Sequence, residues 1–110
     1  MEINYNVDID VYEHILLIFM LGVLEQLNSG LLDIEESEVV LFNPYMLQSL
    51  KELGVNKNIL KIIELGMELD DIHRIVPQEF KNSLDNMTYE CKQIIKNFSK
   101  LKYPIIRYFD

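Results

Sequence analysis

The chain has 110 residues, 49% of them hydrophobic and 25% charged, which is typical of one globular domain over residues 1–110 and not of a disordered chain. Its 18 acidic and 10 basic residues give a formal net charge of −8, so most of the surface would repel phosphate polyanions. The single cysteine, Cys91, excludes a disulfide within the chain and any CxxC zinc motif, and favours a reducing, cytoplasmic location.

The first predicted helix runs from about residue 10 to residue 28, with Asp8 or Asp10 as its N-cap and Gly30 as its stop signal. Its centre, ILLIFMLGVL (residues 15–24), is apolar on every side. A membrane span takes about 20 apolar residues, so this shorter run predicts a buried helix and no membrane span. The acidic residues before it are also unlike the basic start of a signal peptide.

Capping patterns predict the next two helices. DIEES (residues 33–37) has the acid spacing of a capping box and starts a helix that reaches about Leu41. In FNPYMLQSLKELG, Asn43 suits the N-cap, Pro44 the first helical position and Gly54 the position just after the end.

The stretch VNKNILKIIELGMELDDIHRIV (residues 55–76) predicts one long helix, with Asn56 as its cap and Pro77 at its end. Gly66 lies inside this helix, where glycine costs about 1 kcal/mol relative to alanine. We therefore expect either a close approach of another helix or a kink at this position. Residues 78–100 predict one or two further helices.

The two ends of the chain have a different pattern. Residues 1–8 alternate loosely in polarity, and the tail YPIIRYFD (residues 103–110) is β-branched and aromatic, so both are compatible with extended structure. The sequence thus predicts an all-α fold, a compact bundle of about five helices, with room for a short extended segment at the termini.

Four carboxylates, Glu64, Glu68, Asp70 and Asp71, are the candidate partner-binding residues. On a continuous helix Glu64, Glu68 and Asp71 share one face, and Arg74 would offset part of their mutual repulsion. This face is either solvated and internally paired, or it is a surface for a partner. With no histidine on it and no calcium-loop spacing, we predict no metal site and no cofactor.

The sequence gives less support to two other functions, nucleic-acid binding and catalysis. SLKELGVNKNILKII resembles a helix-turn-helix, but Lys57 and Lys61 are the only cations of its second helix before the acids begin, which favours an αα-hairpin without nucleic-acid binding. A small carboxylate-based enzyme is the other alternative. His14 and His73 lie in separate predicted helices and no catalytic motif is present, so no catalytic residue is assigned.

Three stretches, LGVLEQL (21–27), LFNP (41–44) and LGMELDDI (65–72), resemble in their order and spacing a family of small uncharacterised bacterial proteins. The resemblance covers roughly residues 12–85. It implies a bacterial, cytosolic origin but no activity, and no catalytic or binding residue can be transferred. It also gives a reason to treat Gly66 through Asp71 as a unit.

Charge is distributed unevenly along the chain. Residues 1–50 contain nine acidic and no basic residues (net −9), whereas residues 81–110 contain three acidic and six basic residues (net +3). We predict a small acidic protein-binding module, an immunity- or antitoxin-like inhibitor of a basic partner. The charge asymmetry and the all-round apolar first helix also favour a homodimer.

Overall fold

The computed structural model describes residues 8–98, 100–104 and 107. Within these residues it is all-helical, without a β-strand, which confirms the predicted fold class. The helices, in chain order, are α1 (Ile9–Ser29), α2 (Ile34–Val40), α3 (Pro44–Glu52), α4 (Lys57–Met67), α5 (Leu69–Ile75) and α6 (Phe80–Ile95). A 3₁₀ turn, Pro77–Glu79, precedes α6.

The prediction of about five helices is wrong in number. The described chain is built from four helices of nine residues or more, α1, α3, α4 and α6, while α2 and α5 have seven residues each and connect them. The difference arises because the helix predicted from Asp33 to about Leu41 has only seven residues, and because the division of the helix predicted over residues 55–76 adds only a second short one.

Helix α1 is the longest helix and contributes more buried residues than any other, and α6 packs along it while also contacting α4 and α5. Asp8 caps its start by accepting a hydrogen bond from the N–H of Asp10, and Gly30 ends it in the left-handed conformation at φ 79°. Most of its apolar centre is buried, as predicted, but Ile18 and Phe19 are 44% and 46% exposed. One side of α1 therefore stays open to solvent.

Asn43 joins α2 to α3. Its side-chain oxygen accepts from the N–H of Met46 at 2.8 Å, which is the predicted N-cap of α3, and its Nδ2 donates to the carbonyl oxygen of Glu38 at 2.7 Å. The same side chain thus provides a hydrogen-bond partner for a backbone N–H at the start of α3 and for a backbone carbonyl near the end of α2. The neighbouring Leu41 and Phe42 are fully buried.

The helix predicted over residues 55–76 is broken at Glu68, which ends α4 and precedes α5. A Cβ at Gly66 would overlap the ring of Phe42, so only glycine lets this ring pack against α4. Leu69, the first residue after the break, is completely buried. The close approach at Gly66 is therefore made by a side chain and not by another helix as expected, and the helix is interrupted at Glu68, two positions further on.

The remaining expectations concern the two ends and the membrane. Residues 1–7 and most of the tail 103–110 lie outside the described residues, so the extended segments predicted there are outside them too. Residues 80–95 form one helix, where one or two were expected. Among the described residues, no helix combines the length and the hydropathy that a membrane crossing requires.

Candidate functional site

The four candidate carboxylates lie on two helices rather than one. Glu64 is on α4, Glu68 is at the junction, and Asp70 and Asp71 are on α5. All four are exposed, but the break at Glu68 means that they do not form the continuous helical stripe that was predicted.

Asp70 and Asp71 are paired within the chain. The guanidinium of Arg74 donates through Nε to Asp70 Oδ2 at 3.3 Å and through Nη2 to Asp71 Oδ1. The hydrogen bond to Asp71 and the charges of both carboxylates raise the pKa of Arg74. Since all three groups are more than half exposed, these ion pairs contribute little to stability, and an incoming cation could compete with Arg74. Glu64 and Glu68 have no ion pair within the described part of the chain.

A second group of carboxylates lies next to α5. Helix α2 packs against α5, and the segment around α2 has four acids and no base. We call these carboxylates, together with Asp70 and Asp71, the acidic surface. Its other members are the N-cap Asp33 and, within α2, Glu35, Glu36 and Glu38.

A groove of about 420 Å³ opens within this surface, between the end of α1, the start of α2, α5 and the start of α6. Its lining combines apolar side chains with carboxylates and two aromatic rings. The ring of His73 meets the ring of Phe80 edge-on, with 5.2 Å between their centroids and 75° between their planes. We call it the acidic groove; it is lined by Leu27, Gly30, Leu32, Asp33, Ile34, Glu35, His73 and Phe80.

The carboxylates of the groove differ in how they are held. Asp33 is fixed by a reciprocal capping box, in which its Oδ1 accepts from the N–H of Glu36 at 2.8 Å and Glu36 accepts from the N–H of Asp33 at 3.1 Å. The carboxylate of Glu35 has no hydrogen bond or ion pair to any described residue. Lys81, at the start of α6, is already bound to Asn28 Oδ1 at 2.8 Å and Asp85 Oδ1 at 3.0 Å. The groove therefore has negative charge that neighbouring cations do not neutralise.

A larger cavity, of about 640 Å³, lies between the start of α1, the start of α4 and the chain after α6. The Glu13 carboxylate in its lining is 7% exposed and accepts the backbone N–H of Asn56 at 2.6 Å, which satisfies a buried charge and places it at the start of α4. His14 packs on Phe98, with 5.3 Å between ring centroids. Both side chains thus have structural partners, and acids and lysines are mixed around this opening.

The described residues do not bring together a set of catalytic groups. His14 and His73 line different cavities, and no three or more His, Cys, Asp or Glu side chains in the described ranges are grouped to hold a metal ion. Cys91 is fully buried with its Sγ 3.5 Å from the carbonyl oxygen of Leu17, and burial raises its pKa to about 11. Its thiol therefore stays protonated near neutral pH and is a poor nucleophile.

Sequence reasoning did not include the acidic groove among the candidate sites. It assigned the acids of residues 33–37 to helix capping, which Asp33 and Glu36 do perform, and it did not connect them with His73 and Phe80. One signal was available: the first base of the chain is Lys51, so nothing nearby in sequence could neutralise these acids.

Comparison with known proteins places the chain in a family. No curated protein and no solved structure gives a significant match. A family model described as "Protein of unknown function (DUF3969)" matches residues 8–110, and the chain therefore belongs to this family.

Proposed function

We propose that the protein acts in the cytosol by binding another protein through its acidic surface, as a small module that masks a basic partner in the manner of an immunity- or antitoxin-type inhibitor. The main support is the acidic groove, where unneutralised carboxylates border an apolar floor. Carboxylates on neighbouring helices attract a positively charged surface and raise its association rate.

Exposed apolar side chains accompany these carboxylates. Leu31, before α2, and Val39, near the end of α2, are each 77% exposed, and Tyr45 at the start of α3 is 78% exposed. Such side chains gain binding energy when a partner removes them from water, and tyrosine is often among the residues that dominate an interface. Charge would then steer the partner, while apolar contact would hold it.

The candidate residues Glu64, Glu68, Asp70 and Asp71 belong to the same proposal. A basic partner that covers α5 can replace Arg74 as the counter-ion of Asp70 and Asp71, because that exposed pairing is weak. Glu64 and Glu68 would extend the contact along α4. In contrast, α3 and α4, which pack together, offer nucleic acid only three lysines, Lys51 on α3 and Lys57 and Lys61 on α4, with Glu52 and Glu64 close to them in sequence.

A capture experiment with matched variants tests the proposal. The tagged protein, a Glu35→Gln/Asp71→Asn variant and a control Glu52→Gln/Glu90→Gln variant are each incubated with lysate of the source organism, and bound proteins are identified by mass spectrometry. The control removes the same charge from α3 and α6, outside the acidic surface. We expect the wild type and the control to capture the same basic protein and the first variant to retain roughly a tenth or less of it.

Two results would contradict the proposal. One is capture that does not change when Glu35 and Asp71 lose their charge. The other is salt-sensitive, micromolar binding of random duplex DNA, which would favour a helix-turn-helix regulator instead.

Self-association is a second candidate, because α1 exposes Ile18 and Phe19 at the centre of the chain's most apolar helix. A second copy that covered this side would bury two large apolar side chains from each chain. It does not compete with the first proposal, since neither residue lines the acidic groove.

A further inference from the structure

We infer that the acidic groove accepts an arginine side chain of the protein partner. This inference rests on the proposed function and specifies the group that the surface recognises. Three features of the groove point to it: an apolar floor, two aromatic rings, and carboxylates at the rim.

The floor suits the aliphatic part of a long side chain. Leu27, Leu32 and Ile34 line the groove, and its volume of about 420 Å³ lies within the range of sites that hold small organic groups. Arginine has three methylene groups that pack on apolar surface while the charged end reaches a polar rim. The space holds such a side chain together with part of the backbone on either side of it.

The rings favour a flat cation. Phe80 is half-buried and packs against the hydrophobic core, which fixes its position, and His73 meets it edge-on. A guanidinium is planar, weakly hydrated and stacks on aromatic faces, whereas an ammonium is compact and strongly hydrated. These properties favour arginine over lysine in the groove.

The rim supplies the complementary charge. The capping box holds the Asp33 carboxylate in place before any partner arrives, and Glu35 has no competing contact among the described residues. A guanidinium can bind a carboxylate through two parallel hydrogen bonds. Arg74 and Lys81 are already bound to other carboxylates, so within the described residues no basic side chain pairs with Asp33 or Glu35.

Titration with short peptides tests the inference directly. The full-length, ¹⁵N-labelled protein is titrated with acetyl-Gly-Arg-Gly-amide, and the same peptides with lysine or with citrulline at the centre serve as controls. Citrulline is nearly isosteric with arginine but uncharged. We expect saturable shifts of the amide signals of residues 33–35, His73 and Phe80 with the arginine peptide, and binding roughly tenfold weaker with citrulline.

The variants assign the effect to the groove. Glu35→Gln should weaken binding of the arginine peptide about fivefold to tenfold, while Glu90→Gln on α6 should leave it unchanged. Equal binding of the lysine peptide, or equal shifts near Glu64 and Glu90, would show unspecific charge attraction and overturn the inference.

The two proposals fail separately. If capture of a basic protein depends on Glu35 and Asp71 but the arginine peptide does not shift the groove signals, the binding function stands and the arginine assignment is wrong. If the peptide binds in the groove and no basic protein is captured, the arginine assignment stands as a property of the groove and the proposed function is wrong.

Discussion

At Gly66 the ring of Phe42 occupies the space where any other residue would have its Cβ. Phe42 is 1% exposed, so the ring cannot move aside without disturbing the core. Forcing a methyl group into such a site usually costs about 1–3 kcal/mol, which exceeds the roughly 1 kcal/mol that alanine gains over glycine in a helix. We expect Gly66→Ala to lower the free energy of unfolding by about 1–2 kcal/mol in urea denaturation.

Gly22 supplies the matched control. It also lies in a helix, but nothing stands within 4 Å of the position that its Cβ would take. Gly22→Ala should therefore raise stability by roughly 0.5–1 kcal/mol. Equal effects of the two substitutions would mean that Phe42 does not constrain Gly66.

The buried thiol of Cys91 makes the free energy of unfolding depend on pH in the alkaline range. Burial raises its pKa to about 11, whereas an exposed cysteine ionises at about pH 8.5. Between these values the unfolded chain loses the proton and the folded chain keeps it, so the free energy of unfolding falls as the pH rises. Thermal unfolding followed from pH 8 to pH 11 should show this decline.

A variant separates this cysteine from other groups. Burial also raises the pKa of Tyr12, which acts in the same direction but from about pH 10, the usual value for tyrosine. Cys91→Ala should therefore flatten the profile between about pH 8.5 and pH 10 and leave above it a shallower decline, to which Tyr12 contributes. An unchanged profile in this variant would show that the thiol is accessible in the folded state.

At the level of the helices, the junction of α2 and α3 depends on both the oxygen and the nitrogen of the Asn43 side-chain amide. Asn43→Asp keeps the oxygen that caps α3 but loses the Nδ2 donor to Glu38, and it places a negative charge at the end of α2. We expect it to lower the free energy of unfolding by about 1–2 kcal/mol. The control is Asp33→Asn. The side chain at position 33 only has to accept a hydrogen bond from the N–H of Glu36, and asparagine can do this as well as aspartate. This substitution should therefore change the free energy of unfolding by less than about 0.5 kcal/mol in urea denaturation. Similar losses from both would contradict a donor role for Asn43.

The helix starts could be predicted from the sequence because capping is local. Asp8, Asp33, Asn43 and Asn56 each bind an N–H within three residues of themselves, so a short stretch contains the whole signal. The break at Glu68 could not be predicted in this way. Glu68 makes no capping hydrogen bond through its side chain, and the close approach at Gly66 comes from the ring of Phe42, 24 positions earlier in the chain.

The acidic groove was beyond sequence reasoning for the same reason. Its lining comes from the end of α1, the start of α2, α5 and the start of α6, and no periodic pattern links these segments. Glu35 was visible as an acid, but His73 and Phe80 acquire their place beside it only when α5 and α6 pack against the earlier helices. The sequence therefore indicated the negative charge, but the acids that it proposed on α4 and α5 do not line the groove, and the cavity itself required the fold.

For the whole molecule, the uneven charge and the open side of α1 lead to one expectation. Residues 1–50 have a net charge of −9 and residues 81–110 a net charge of +3, so two copies can place opposite charges against each other. Ile18 and Phe19 are exposed on α1 and would supply an apolar contact between the two copies. We expect a two-fold dimer at micromolar concentration, and light scattering should give a mass near twice that of one 13.0 kDa chain.

Substitutions on two helices decide whether α1 forms that interface. Phe19→Glu would place a charge at the centre of the contact and should reduce the mass to that of one chain, because an unpaired charge in an apolar interface is strongly disfavoured. Val39→Glu is the matched control, since Val39 is still more exposed than Phe19 but lies on α2. It should leave the dimer intact. A wild-type mass near one chain that does not change on dilution would mean that α1 is simply the central helix of a monomer, and that its two exposed side chains need no second copy.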